Sequence, residues 1–215
     1  MPAIFPRWTN NIPTVIGLVA PVGGVFLIFA VWYWFSPMWT DVGYRPQQPV
    51  PYSHKLHAGD MGMDCRYCHN TVESEAHSAI PPTSTCMNCH SQVKTDSQRL
   101  RLVRKSYTED VAIPWVKVHL LPDHVYFAHA PHVAAGVGCT SCHGRVDDMV
   151  VVEQVQPLNM AWCVDCHRNP EPNLRPLDQV TNMAWDPATE DYDPKADPAR
   201  SREVNPPVHC SGCHR

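Results

Sequence analysis

The chain has no cysteine to spare, no basic surplus and, across residues 8–40, no charged side chain at all. A net charge of −4, from 17 Lys+Arg against 21 Asp+Glu, excludes the cationic surface that nucleic-acid binding requires. Such mild acidity suits a solvated surface and would also accept a basic redox protein. The missing charge near the N-terminus has a sharper consequence. Residues 15–35 are almost wholly apolar, about the 20 residues that a bilayer-spanning helix needs, so a transmembrane α-helix is predicted there. The run is longer than the apolar part of a usual signal peptide, and no small-x-small cleavage site follows it; it is expected to remain as an anchor. Arg7 is the only basic residue before it, which favours a cytoplasmic N-terminus. Trp8 at one end and Trp32, Tyr33, Trp34 and Trp39 at the other are placed as interfacial aromatic belts. Gly17, Pro21 and Gly24 form a small-residue stripe that would let a neighbouring membrane helix approach.

All ten cysteines fall in five copies of C-x-x-C-H. The thiols are Cys65 and Cys68, Cys86 and Cys89, Cys139 and Cys142, Cys163 and Cys166, and Cys210 and Cys213, followed by His69, His90, His143, His167 and His214. Two thiols three positions apart reach the two vinyl groups of one haem, and the next residue then lies under the iron as proximal ligand. Zinc ribbons, redox C-x-x-C pairs and disulfide frameworks also use paired cysteines. None of them requires a histidine after every pair. With 13 histidines in 215 residues, five such coincidences have odds on the order of one in a million. Five haem c groups are the expected cofactors. Their attachment takes place outside the cytoplasmic membrane, so the haem-bearing part is expected on the periplasmic side, where cysteine-rich segments are at home.

An internal repeat organises the remainder. His54 and His57 precede the Cys65 motif, with the Cys86 motif next; His129 and His132 precede the Cys139 motif, with the Cys163 motif next. The expected divisions are a cytoplasmic N-terminus (1–12), a transmembrane anchor (13–36), a Pro-rich extended stalk (37–51), a first dihaem module (52–95), a linker (96–123), a second dihaem module (124–170) and a Pro-rich wrap with the fifth haem (171–215). Within the linker, residues 96–110 are charged and polar and predict one short exposed helix. The prolines of 170–207 predict irregular chain. A soluble part of this size cannot both build a conventional core and wrap five macrocycles. The haems are therefore expected to be the core, with little regular structure around them.

Eight histidines lie outside the motifs: His54, His57, His77, His119, His124, His129, His132 and His209. Five irons need at most five of them, so every iron can be six-coordinate, which suits electron transfer, whereas chemistry at iron needs an open position. His54, His57, His129 and His132 are the best distal candidates because each pair stands just upstream of a motif. For the fifth iron the expectation is His119, with Met160 as a thioether alternative that would raise the potential. His209 is tethered too closely to Cys210, and His77 and His124 are read as surface or propionate-contacting residues.

The spacing resembles that of class III c-type cytochromes, which implies a class III-like multihaem fold, mostly irregular with short α-helices. By that resemblance the first histidine of each pair, His54 or His129, serves the haem that follows it. The second, His57 or His132, bridges to a neighbouring haem. The strings SHKLHAGDMGMDCRYCHN, IPPTSTCMNCH, HVYFAHAPHVAAGVGCTSCHG and PLNMAWCVDCHRNP resemble the pentahaem cytochrome subunit of alternative complex III over about residues 50–170, together with the anchor. The C-terminal segment agrees only in ending with a fifth motif. The resemblance implies a bacterial complex that oxidises quinol and passes electrons to a periplasmic cytochrome c, a copper protein or an oxidase. The implied partners are an iron–sulfur protein, polytopic quinol-binding subunits and a monohaem cytochrome. A free-standing membrane-anchored quinol dehydrogenase is the nearest alternative, although its first motif would be expected closer to the membrane exit than Cys65. A multihaem oxyanion reductase is a third, but such enzymes need an open iron, often at a C-x-x-C-K motif, and all five motifs here end in histidine.

Overall fold

A computed structural model describes residues 4–198 and 203–214. Residues 1–3 of the expected N-terminal segment, and 199–202 and 215 of the expected wrap, lie outside them. The chain divides into two units, Met1–Asp41 and Val42–Arg215.

The first unit is almost entirely one helix. A 3-10 turn, Arg7–Asn11, leads into α1 (Ile12–Phe35, 24 residues), with a proline in its first turn, where no backbone N–H is needed. A second proline, Pro21, lies inside the helix. Large apolar side chains such as Leu18, Phe26 and Ile28 project outward, so the helix is hydrophobic all round, as a membrane span is. Together these 29 residues are long and apolar enough to cross a membrane. Ser36 then caps the short α2 (Pro37–Thr40), its hydroxyl accepting from the Met38 N–H.

In the second unit the helices are short, and four of them present thiols. α3 (Cys65–Cys68), α4 (Thr83–His90), α7 (Cys139–His143) and α8 (Met160–Arg168) each carry one motif. One turn of helix puts residues i and i+3 on the same face, which aims both thiols of a motif at the same object. Asp64 caps α3 through the Arg66 N–H, and Asn159 caps α8 through the Trp162 N–H. α5 (Arg101–Glu109) lies in the linker, α6 (His129–Ala134) carries the second histidine pair, and α9 (Pro187–Glu190) lies in the wrap. The fifth motif sits on a 3-10 turn, Cys210–Gly212. Among the described residues there is no strand, only an isolated bridge between Val137 and Leu174.

Two departures from the sequence expectation concern the segments beside the modules. α5 is not simply an exposed helix: Val103 and Ser106 are buried, and Val103 joins Val50 and Ile113 in a small cluster flanked by Leu100, Leu102 and Trp115. The later part of the expected stalk is tied to the second unit. The Gly43 N–H donates to the Gln154 carbonyl, the Gln154 N–H donates to Tyr44, and the Gln48 amide bonds both backbone groups of Val116.

Arg175 is one anchor of the Pro-rich wrap. Arg175 is 4% exposed; its guanidinium donates to the Thr140 hydroxyl at 2.6 Å and to the Asn182 carbonyl at 2.8 Å, and lies over the Trp185 ring. Gly138 leaves room for it, since a Cβ there would collide with the guanidinium.

Candidate functional site

Each of the two H-x-x-H segments is preceded, two residues upstream, by an aromatic ring. Tyr52 lies 4.5 Å from His57 and nearly parallel to it, and 4.8 Å from His54, edge-on. Phe127 repeats the arrangement, 4.7 Å from His132 and 4.8 Å, edge-on, from His129. His54 caps a single π-helical turn, Lys55–Asp60, which contains His57, while His129 and His132 stand on α6. In both copies the second histidine donates its Nδ1–H four residues back, His57 to the Ser53 carbonyl at 2.9 Å and His132 to the Ala128 carbonyl at 2.7 Å.

The four upstream histidines face four of the histidines that end motifs. His54 is opposite His69 and His129 opposite His143, each pair with ring centroids 6.4 Å apart; the ring planes differ by 5° and 8°. His57 is opposite His90 at 6.2 Å, and His132 opposite His167 at 6.0 Å. Two metal–imidazole bonds of about 2 Å each, added to the two ring radii, separate the centroids by roughly 6 Å. The spacing is that of two imidazoles sharing one metal.

Which nitrogen faces the gap is fixed from behind. A carbonyl can only accept, so a ring whose Nδ1 is bonded to one must carry its proton there and offer Nε2 as the donor atom. His69 gives its Nδ1–H to Ala79, His90 to Val93, His129 to Ala76, and His167 to Pro207 across 40 residues. At three histidines of these pairs burial favours the neutral ring, the form that ligates. It holds His54 down to about 4, helped by His69 and His57, and His143 down to about 3, helped first by His119 and His129. His132 is lowered by burial too.

The fifth motif is built differently. His214 donates its Nδ1–H to the His124 carbonyl at 3.0 Å, and the His124 ring lies 5.5 Å away at 23°. His119 is half-buried and edge-on to His143 at 4.4 Å, with its Nε2 shielded from solvent and unpartnered. Met160, the first residue of α8, is 70% exposed. His77 is exposed, and His209 hydrogen-bonds Ser211.

None of the ten cysteines is paired in a disulfide. Burial pushes the Cys68 thiol up, and the neighbouring Cys86 adds to this; burial likewise raises Cys142, with help from Cys166 and Cys163, and Cys163, with help from Cys213. The Cys65 and Cys139 thiols interact directly, lowering the first and raising the second.

These residues fit haem c and do not fit zinc. A porphyrin supplies four nitrogens and asks the protein for two axial donors on opposite sides, which is what each facing pair offers; a structural zinc needs four protein ligands together. Among the described residues no group of three or more His, Cys, Asp or Glu side chains is gathered as a metal cage. The packing agrees. Among the described residues the buried apolar side chains are only Val50, Val103, Ile113, Leu174 and Val180, far too few for a unit of this length to stand on alone. The aromatic two residues before each H-x-x-H was legible in the sequence as part of the repeat but not singled out; the carbonyls that hold the imidazoles carry no side-chain signal.

Short helices presenting C-x-x-C-H thiols, irregular chain between them, imidazoles paired across a metal-sized gap and one N-terminal apolar helix are the architecture of a multihaem cytochrome c domain, a donor set suited to haem c. Residues 125–215 match the family described as cytochrome c7 and related cytochrome c. Over 132 residues the chain is 33% identical to the multihaem cytochrome c subunit of menaquinone reductase from Nitratidesulfovibrio vulgaris, an alignment covering 61% of this chain and 58% of that protein.

Proposed function

We propose that this chain is the electron-transfer subunit of a membrane quinol-oxidising complex and relays electrons through five haem c groups to a periplasmic acceptor. The observation that carries this reading is the set of four facing histidine pairs. When bound, a haem with imidazole on both sides exchanges single electrons and has no vacant position for a substrate. The chain's own residues keep it so. Backbone carbonyls behind His57, His69, His90, His129, His132 and His167 leave Nε2 for the gap, and Tyr52 and Phe127 hold the histidine pairs from the side. The subunit then has no substrate chemistry of its own, which argues against an oxyanion reductase.

In this reading Cys65/Cys68, Cys86/Cys89, Cys139/Cys142, Cys163/Cys166 and Cys210/Cys213 attach the five haems, and His69, His90, His143, His167 and His214 are the proximal ligands. His54, His57, His129 and His132 are distal ligands to the Cys65, Cys86, Cys139 and Cys163 haems. His119 serves the fifth, supported by its buried, unpartnered Nε2; the exposure of Met160 counts against the thioether alternative. The apolar helix supports a single-pass anchor in the bacterial cytoplasmic membrane, with the haem unit on the periplasmic side. The partners are an iron–sulfur protein, polytopic quinol-binding subunits and a monohaem cytochrome, with a periplasmic cytochrome c or a copper protein as acceptor.

The similarity to a menaquinone reductase subunit favours a second reading, in which electrons run the other way, from a periplasmic donor to quinone. Purification from native membranes in mild detergent separates the readings. Co-purification with a large iron–sulfur subunit and polytopic proteins, with quinol-dependent reduction of cytochrome c or a copper protein, supports the first. Reduction of quinone by a reduced periplasmic cytochrome, without the forward activity, supports the second. Isolation alone with intrinsic quinol oxidation would identify a free-standing dehydrogenase.

A further inference from the structure

We infer that the two H-x-x-H modules are halves of one internal pseudo-two-fold pair, joined through their first motifs, so that the attachment sites run Cys86, Cys65, Cys139, Cys163, Cys210 in space. The sites at Cys86 and Cys210 are then the ends of the wire. This order differs from the order along the chain, in which the Cys65 motif comes first.

The pairing rests on contacts that each module makes with the other reciprocally. The residue after the first upstream histidine of module one, Lys55, donates its N–H to the Met149 carbonyl of module two at 2.9 Å. The equivalent residue of module two, Ala130, donates its N–H to the Glu75 carbonyl of module one at 3.2 Å. Met149 stands six residues past His143, and Glu75 six past His69. Each module thus uses the same donor position and the same acceptor position against its partner. That is the signature of an isologous contact, in which one patch serves both sides. Gly59 reinforces it, because its backbone lies so close to the Asp147 carbonyl that a Cβ would collide.

The reciprocal contact sets the two first motifs side by side. Cys139 donates its N–H to the Val180 carbonyl, and the next residue, Thr181, donates its hydroxyl to Asp64, which caps the Cys65 helix. Both attachment helices are therefore pinned to one dipeptide. Within module one, the Asn88 amide of the second motif donates to the Tyr67 hydroxyl of the first, and His54 and His57 reach two proximal histidines from one helical turn. Module two repeats this with His129 and His132 on α6. At the far end, His167 of the fourth motif is held by Pro207, three residues before Cys210, and the Tyr126 N–H bonds the Cys213 carbonyl. The thiol neighbours follow the same sequence of sites. An electron crossing between modules then passes between the Cys65 and Cys139 sites, and redox partners dock at the edges of the Cys86 and Cys210 sites.

The inference requires haem at all five motifs but not the direction of electron flow or the identity of the quinone complex. Pyridine haemochrome analysis of the purified native complex gives the haem count, and cryo-electron microscopy of the same sample gives the iron positions. The expected result is five irons per chain, with the Cys65 and Cys139 irons each having two close neighbours, one of them the other, and the Cys86 and Cys210 irons each having one. A map in which the Cys86 iron lies closer to the Cys139 or Cys163 iron than to the Cys65 iron, or in which the Cys210 iron sits inside the row, would overturn the order. Fewer than five irons would overturn it as well. A different quinone activity would leave it standing.

Discussion

The Tyr52 ring stacks on the His57 imidazole at 4.5 Å with planes 22° apart, and also meets His54 edge-on. One side chain therefore holds two proposed ligands to two different irons. Tyr52→Ala should loosen both imidazoles, giving a partial high-spin ferric signal and a loss of roughly 1 kcal/mol for each aromatic contact removed. Tyr52→Phe keeps the ring and should keep the low-spin spectrum. If Tyr52→Ala left the electron paramagnetic resonance spectrum unchanged, the ring would be filling space rather than positioning ligands.

The second histidine of each pair is the more informative one to remove. His57 faces His90 and His132 faces His167, so each connects the segment before one motif to the motif after it. His57→Ala or His132→Ala should turn one haem high-spin and slow transfer along the chain. It should also remove the imidazole's hydrogen bond to the Ser53 or Ala128 carbonyl, at a cost of about 1 kcal/mol. Magnetic circular dichroism of the oxidised protein checks this; an intact low-spin spectrum in either variant would show that the residue is not a ligand.

The histidine pairs, the motifs and the apolar helix could all be read from the sequence because each depends on residue type at fixed spacing. Val103 shows where such reading stops. Its segment is charged enough to predict an exposed helix, yet Val103 is buried with Val50 and Ile113, and only tertiary contact with the end of the expected stalk creates that environment. The reciprocal bonds of Lys55 and Ala130 were equally out of reach, since they use backbone atoms that every residue possesses. His124 illustrates the same limit at the site: its side chain suggested surface or propionate contact, but its carbonyl is what holds His214.

Asp64 makes part of the stability depend on pH. Its carboxylate caps α3, pairs with the Arg66 guanidinium and accepts from Thr181; the Arg66 hydrogen bond is the main reason its pKa is held down to about 2 from 3.8. The unfolded chain takes up this proton first, so the contribution is fully present above about pH 4. It is lost as the pH falls toward 2. Asp64→Asn keeps a capping oxygen but loses the charge. The variant should be less stable than the parent at neutral pH, with the difference shrinking between pH 4 and 2. Thermal melts at a series of pH values measure this, and a constant difference across that window would contradict it.

Gly144 follows His143, a proposed proximal ligand, with φ 65° and ψ −161°, a region essentially reserved for glycine. A Cβ there would also lie 2.8 Å from Val155 Cγ2. Gly144→Ala should cost about 1–3 kcal/mol from backbone strain alone, lowering the melting temperature by several degrees. It should also disturb the His143 ring, which is among the most buried imidazoles of the chain. A melt within error of the parent would mean that the turn relaxes without strain.

The remaining ligand question turns on His119. Its Nε2 is shielded from solvent with no hydrogen-bond partner, a state that costs about 1–3 kcal/mol unless something binds there. Burial, with His129 nearby, lowers its pKa and keeps the ring neutral, as a ligand must be. His119 stands five residues before His124, whose carbonyl accepts from His214 and whose ring lies 5.5 Å from it, so the two imidazoles compete for the proposed fifth iron. His119→Ala should therefore convert one ferric haem from low to high spin, while Met160→Leu, altering a side chain that is 70% exposed, should change nothing. The alternative outcome is equally specific. Because the ring now lies edge-on to His143 at 4.4 Å, an unchanged spin state with a shifted potential at the third site would make His119 a hydrogen-bonding neighbour there and leave the fifth iron to another donor.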